Sequence, residues 1–199
     1  DGTKNYLFPT HSGYAIESAY IPDKNRATLC VSTQVGCRMG CKFCMTGKQK
    51  LQNNLSSNEI LNQVRSLPEF ESLTNLVYMG MGEPLDNIDE VLKSLEILTA
   101  EWGYAWSPKR ITLSTIGIIP EMKRYLNESR CHLAISMHSP FDRERQELMP
   151  IQKAHPISEI IAEIKNTDIN SQRRISFEYI VFKNINDSEK HVKAIINIL

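Results

Sequence analysis

The sequence predicts an α/β protein, a partial (β/α) TIM-like barrel of about five βα units with an N-terminal β-hairpin extension. Three observations carry this. Short β-prone apolar runs recur at residues 28–32, 76–79, 110–114, 132–137 and 175–182, and the stretches between them have helical periodicity and helical length. Gly-rich, polar and cysteine-bearing segments directly follow the strand runs, where an α/β barrel keeps its chemistry.

The elements follow in order. Residues 6–8 and 14–21 flank His11-Ser12-Gly13, a hairpin signal, so residues 1–26 read as a β extension ahead of a core spanning 27–199. The run 28–32 is a strand leading straight into a cysteine loop. Ser56 and Glu59 form a capping box, and Ile60, Leu61, Val64 and Leu67 share a helical face that stops at Pro68. The second strand, 76–79, ends in Gly80-Met81-Gly82-Glu83-Pro84. A helix over 87–99 carries the stripe Ile88, Val91, Leu92, Leu95 and Leu98. Residues 110–114 form the third strand, and Pro120 opens the next helix where no N–H is needed. A fourth strand at 132–137, a helix at 158–165, a fifth strand at 175–182 and a helix at 188–199 complete the pattern. The chain starts without Met and stops inside a helical pattern, so a fragment of a longer protein is expected.

Composition narrows the function classes. The 199 residues and 41% hydrophobic content suit one soluble core. Lys plus Arg and Asp plus Glu are both 23, so the chain lacks the overall basic charge of a nucleic-acid binder. An RNA substrate would need a local basic surface or one outside this chain. No apolar run reaches the ~18 residues of a membrane span. Five cysteines, an odd number, and no visible signal peptide argue against a disulfide framework and for a reducing cytoplasm.

Cys37, Cys41 and Cys44 lie within eight residues as C-x3-C-x2-C. Three thiolates are one short of a closed tetrahedral zinc or ferredoxin site, which leaves a metal position open to a ligand. A loop holding Gly and Lys offers these thiols no apolar interior, so burial alone is a poor explanation. Cys131, beside a strand, reads as a small core hydrophobe. Taken singly, Gly80-Met81-Gly82 is an ordinary turn, Ser114 and Ser136 are caps, and His138 is a solvated loop histidine. Their shared position at strand ends, alongside the thiols, favours a ligand site. A zinc or electron-transfer module remains the non-enzymatic alternative.

The cysteine spacing, with Phe43 just before the last thiol, resembles the radical S-adenosylmethionine (SAM) enzymes. Thr28-Leu29-Cys30-Val31-Ser32-Thr33-Gln34-Val35-Gly36-Cys37, Gly80-Met81-Gly82-Glu83-Pro84-Leu85, Leu113-Ser114-Thr115 and Ala134-Ile135-Ser136-Met137-His138 together resemble the RlmN/Cfr family of radical SAM RNA methyltransferases. Glu83-Pro84 and Tyr20-Ile21-Pro22 lean to RlmN, Ile116-Gly117 and His138-Ser139-Pro140 to Cfr. The resemblance implies a [4Fe-4S] cluster on Cys37, Cys41 and Cys44, and SAM held by Gly82, Glu83, Ser114, Ser136, Met137 and His138. It implies Cys30 as a resolving cysteine and Glu17 as a proton acceptor. The implied reaction places a methyl group on C2 of adenosine in 23S rRNA and tRNA, or on C8 for a Cfr-like enzyme. It proceeds through a methyl-cysteine and a 5′-deoxyadenosyl radical, and a disulfide then releases the RNA. The implied partners are the two RNAs and an electron donor such as flavodoxin or ferredoxin, for a cytoplasmic monomer with no membrane association. The methyl-carrying cysteine is missing, because no cysteine follows Cys131. This chain is therefore expected to bind cluster and SAM without completing methyl transfer.

Overall fold

The computed structural model describes residues 2–168 and 173–198. Strands β1 (Lys4–Pro9) and β2 (Ala15–Asp23) form the expected antiparallel hairpin, and β2 pairs antiparallel with β3 (Arg26–Cys30), setting Ala19 opposite Cys30. The two-residue strands β4 (Gln34–Val35) and β5 (Asn53–Asn54) pair with each other and clasp the cysteine loop, which holds the short helix α1 (Met45–Lys48). Helix and strand then alternate: α2 (Ser57–Arg65), β6 (Asn75–Tyr78), α3 (Ile88–Thr99), β7 (Ile111–Thr115), α4 (Ile119–Glu128) and β8 (His132–Ser136). The chain continues with α5 (Asp142–Leu148), α6 (Ile157–Asn166), β9 (Ile175–Glu178) and α7 (Glu189–Ile198).

The main sheet has the order β1-β2-β3-β6-β7-β8-β9 and is parallel from β3 onward. Each parallel strand lies next to its predecessor, as short right-handed crossovers require. This is the barrel sector expected, with the hairpin continuing the same sheet at its first edge.

Period-two alternation gives the sheet two unlike faces. Leu29, Leu76, Tyr78, Ile111, Leu113, Leu133 and Ile135 are wholly buried, and pack into one core with Val64, Val91, Leu98, Tyr125 and Ile160 from the helices. Cys30, Val77, Thr112, Ser114, Ser136 and Glu178 hold the alternate positions and stay half-buried. The open face of the sector is thus lined largely by small and polar groups.

Helix α2 carries the expected capping box, with Ser56 and Glu59 bonding reciprocally. Besides the short α1, β4 and β5, which the sequence pattern does not predict, two elements differ from expectation. Strand β9 stops at Glu178, not 182, because the chain turns around Asn186. The Asn186 carboxamide accepts from Phe182 N–H at 2.6 Å and donates to the carbonyls of Ile180 and His138 at 2.8 and 2.6 Å. The β-prone Ile180 and Val181 have no neighbouring strand and stay exposed. Helix α5 was not expected: Asp142-Arg143-Glu144-Arg145-Gln146-Glu147-Leu148 has no apolar stripe, and its sole buried residue is Arg145. Leu199, where the last helix was expected to end, lies outside the described residues.

Candidate active site

The cysteine loop is shaped by its crossing with residues 50–52. Gly36 has φ +75°, and a Cβ there would lie 1.8 Å from the Lys50 carbonyl oxygen, so this crossing admits only glycine. Gln52 N–H donates to the Val35 carbonyl at 2.8 Å and draws the loop shut. Cys37 and Cys41 are buried with Met39, Ile116 and Met149, and Cys44 is half-buried. The expectation that this loop offers its thiols no apolar surroundings fails for two of the three, because β7 and the end of α5 pack a wall against it. Burial pushes the Cys37 thiol up to about 11, and burial with the neighbouring thiols pushes Cys41 up to about 12. Without a metal these groups stay protonated; a bound metal would displace the protons.

All three cysteines line a cavity of about 440 Å³ together with residues from the ends of β6, β7, β8 and β9. A larger depression of about 880 Å³, beside Arg38 and Lys153, lies against the loop but takes in none of the thiols. Among the described residues, no three His, Cys, Asp or Glu side chains converge closely enough to share one metal ion. A zinc site needs its thiolates about 2.3 Å from one point. An iron-sulfur cube instead spreads its three thiolates over separate irons. Three thiols on the wall of one cavity suit a cluster that takes one thiolate per iron.

The opposite side of the cavity is the loop after β6. A Cβ on Gly80 would lie 2.7 Å from the Val31 carbonyl and the Ser32 hydroxyl, and Gly82 has φ +104° with Gln34 against it. Met81 N–H donates to Ser32 Oγ at 2.9 Å, and Glu83 N–H donates to Gln34 Oε1 at 2.8 Å. Glu83 itself is buried: its carboxylate accepts from Leu85 N–H and Ile116 N–H, both at 3.1 Å, and from the Thr115 hydroxyl. Burial pushes it up to about 7 in spite of these donors. A carboxylate has about four acceptor positions. Three are filled here, leaving one for a ligand's ammonium.

On the wall formed by β7, β8 and β9, Ser114 and Ser136 both donate their hydroxyls to one oxygen of Glu178, the Ser136 bond being 3.2 Å long. Their protons are committed, so toward a ligand they act as acceptors. They suit the hydroxyls of a ribose and do not suit a carboxylate. His138 is buried with φ +54°, and burial pushes its imidazole down to about 4, so the ring is neutral. Its Nδ1 accepts from Ile180 N–H at 3.1 Å, which assigns the ring proton to Nε2. The ring packs edge-on against Phe43 of the cysteine loop. The solvated reading of this histidine does not hold. Met137 points its side chain into the apolar core instead and is absent from the cavity's lining, contrary to its expected role in holding SAM.

Cys30 ends β3 on the open face, where burial pushes its thiol up to about 11. It stands outside the cavity's lining. Glu17 shares that face, two residues from Ala19, which is paired with Cys30. Its side chain is exposed, and its carbonyl accepts from Ser32 Oγ at 2.6 Å. Cys131 is 1% exposed in the core, as expected. Sequence reading missed Glu178, Arg145 and Asn186. Glu178 follows the same rule that picked out Ser114 and Ser136, since it too ends a strand; the over-long fifth strand hid it. The other two had no comparable signal.

An open sheet sector with a three-thiol loop and ligand-ready strand ends defines a class of SAM- and cluster-dependent enzyme. The chain belongs to the radical SAM superfamily, whose sequence profile matches residues 31–195. Its particular likeness is to RlmN. It is 63% identical to a Parabacteroides distasonis protein named probable dual-specificity RNA methyltransferase RlmN, over 98% of this chain and 57% of that one. It is 62% identical to the Phocaeicola vulgatus protein of that name, over 100% of this chain and 57% of that one. The crystal structure of a radical SAM methyltransferase from Sphaerobacter thermophilus superposes with a TM-score of 0.92 at 37% identity, covering 99% of this chain and 60% of that one. The chain thus spans about three fifths of the length of these relatives. The superfamily implies a [4Fe-4S] cluster and SAM, and the donor set found here fits both. No helix among the described residues is long and apolar enough to cross a membrane.

Proposed function

We propose that this chain belongs to a radical SAM RNA methyltransferase that places a methyl group on C2 of an adenosine in 23S rRNA and in tRNA. The observation that carries the reading is the single cavity onto which Cys37, Cys41, Cys44, Glu83, Ser114 and Ser136 all open. C2 lies between two ring nitrogens and is too electron-poor to attack a methyl cation donor. When bound, the cluster and SAM supply the 5′-deoxyadenosyl radical that such a carbon requires.

The protein's own groups have distinct tasks. Cys37, Cys41 and Cys44 hold the cluster. Gly80 and Gly82 let backbone approach the ligand, Glu83 offers its remaining acceptor position to the ammonium of SAM, and Ser114, Ser136 and Glu178 take the ribose. The Nε2–H of neutral His138 completes the wall. Cys30 is the resolving thiol: as a thiolate it would attack the sulfur of the cysteine–RNA thioether, forming the disulfide as the sulfur–carbon bond breaks, and the electron pair left on the carbon takes up a proton to give the methyl group. Glu17, exposed on the same face, takes up a proton from the RNA adduct. The target base would enter extruded from its stack, as in other base-modifying enzymes. No residue after Cys131 offers a thiol to carry the methyl group. We further assign residues 1–26 as an extension of the 27–199 core, flavodoxin or ferredoxin as reductant, and a cytoplasmic monomer.

The deciding experiment is anaerobic reconstitution with iron and sulfide, followed by EPR of the reduced protein with and without SAM, for the native chain and Cys41→Ala. About four irons, and a signal that SAM perturbs and the substitution abolishes, are expected. Stoichiometric zinc, or a signal indifferent to SAM, overturns the reading.

A further inference from the structure

Arg145 on α5 is 0% exposed, and among the described residues its hydrogen bonds go to no carboxylate. Its guanidinium donates to the main-chain carbonyls of Met137 at 3.2 Å, Ser136 at 2.9 Å, Ile116 at 2.8 Å and His155 at 3.5 Å, and to the side-chain oxygen of Gln152. All of these acceptors are neutral. Asp142, the acid whose charge it feels, lies on the exposed first turn of α5 and bonds to the Gln152 amide at 2.6 Å, not to Arg145. Burying a charge without an opposite charge is costly. All five N–H donors are thus satisfied, but among the described residues no carboxylate meets the guanidinium to balance its charge.

The packing ties this charge to the cysteine loop. Ile116, whose carbonyl Arg145 holds, packs against Cys37 and Cys41. The end of α5 grips the same loop, with Lys42 N–H donating to the Leu148 carbonyl at 2.9 Å. Arg145 is absent from the cavity lining, so it meets neither cluster nor SAM directly.

We propose that Arg145 is a positioning residue and the fixed counter-charge of the metal centre, acting through space to raise the reduction potential of a cluster held by Cys37, Cys41 and Cys44. This rests on the cluster reading above. Three thiolates around a core with two positive charges leave one net negative charge, and one electron from a low-potential donor makes it two. A buried cation nearby stabilises the doubly negative state more than the singly negative one.

The test is an EPR-monitored potentiometric titration, with dithionite as reductant, of the reconstituted native protein, Arg145→Lys, Arg145→Gln and the pair Asp142→Asn with Gln152→Glu. The paired change keeps the net charge and every Arg145 hydrogen bond, but moves a carboxylate onto the guanidinium. Expected are a potential near native for Arg145→Lys, and a more negative one for both Arg145→Gln and the pair. At the native midpoint the reduced fraction of those two should fall several-fold. If Arg145→Gln cannot hold a cluster, the pair alone decides. A pair at the native potential, or Arg145→Lys shifted as far as Arg145→Gln, overturns the proposal while leaving the cluster reading intact. Failure of the native protein to take up iron instead overturns the cluster reading.

Discussion

Replacing Glu83 by Gln removes a titration that burial imposes on the fold. In the folded, metal-free chain Glu83 ionises at about 7, against 4.5 for an exposed carboxyl. Between those pH values the folded state holds a proton that the unfolded state releases. The contribution is fully present below about pH 4.5 and is lost as pH rises through 7. At about 1.4 kcal/mol per pH unit, the loss is about 3 kcal/mol. Gln cannot titrate, so Glu83→Gln escapes this loss. It also turns an amide N–H toward one of the three donors that the carboxylate accepted from, at a cost of about 1–3 kcal/mol. The variant should therefore be less stable than native at pH 5, with the gap closing or reversing at pH 8. His138, held neutral with a depressed pKa, works in the opposite sense by weakening the fold as pH falls below its unfolded value of 6.5. It is common to both proteins and cancels in the difference. Urea unfolding of the two metal-free proteins at pH 5 and pH 8 measures this. Parallel losses in native and variant would refute the assignment of Glu83 as a buried, proton-holding group.

Gly82→Ala forces a side chain into φ +104° and to 2.7 Å from Gln34 Cβ; SAM binding should fall at least tenfold while iron content stays at the native level, checked by equilibrium dialysis and iron assay. Glu178→Gln frees one of the two serine hydroxyls to rotate, and should weaken binding of S-adenosylhomocysteine several-fold while losing less for a 2′,3′-dideoxyribose analogue, as competition binding can show. Cys131→Ala trims a core side chain away from the site, costing about 1 kcal/mol in urea unfolding with no loss of iron; Cys41→Ala should do the reverse.

Local chemistry made part of this protein legible in its residues alone. The capping box at Ser56, the apolar stripe of α3 and the alternation of strand and helix act over a few residues, so they emerged in the structure nearly where the pattern put them. The C-x3-C-x2-C spacing announced an open metal site because three thiols in one short loop have few other uses. What escaped depends on contacts between distant segments. Arg145 reads as one more surface charge in Asp-Arg-Glu-Arg, and only the closing of α5 over β7 and β8 buries it among carbonyls. Ile180 and Val181 look like strand, and only the turn around Asn186 takes them out of the sheet and leaves Glu178 as the strand's end. The surroundings of Cys37 and Cys41 became apolar because Ile116 and Met149 arrive from far along the chain. Residue type and spacing thus determined which groups could do chemistry, since bonding preferences and helical or strand periods are local. Burial, proton affinity and hydrogen-bond direction were decided by the tertiary structure, since each depends on what distant chain segments bring within a few ångströms.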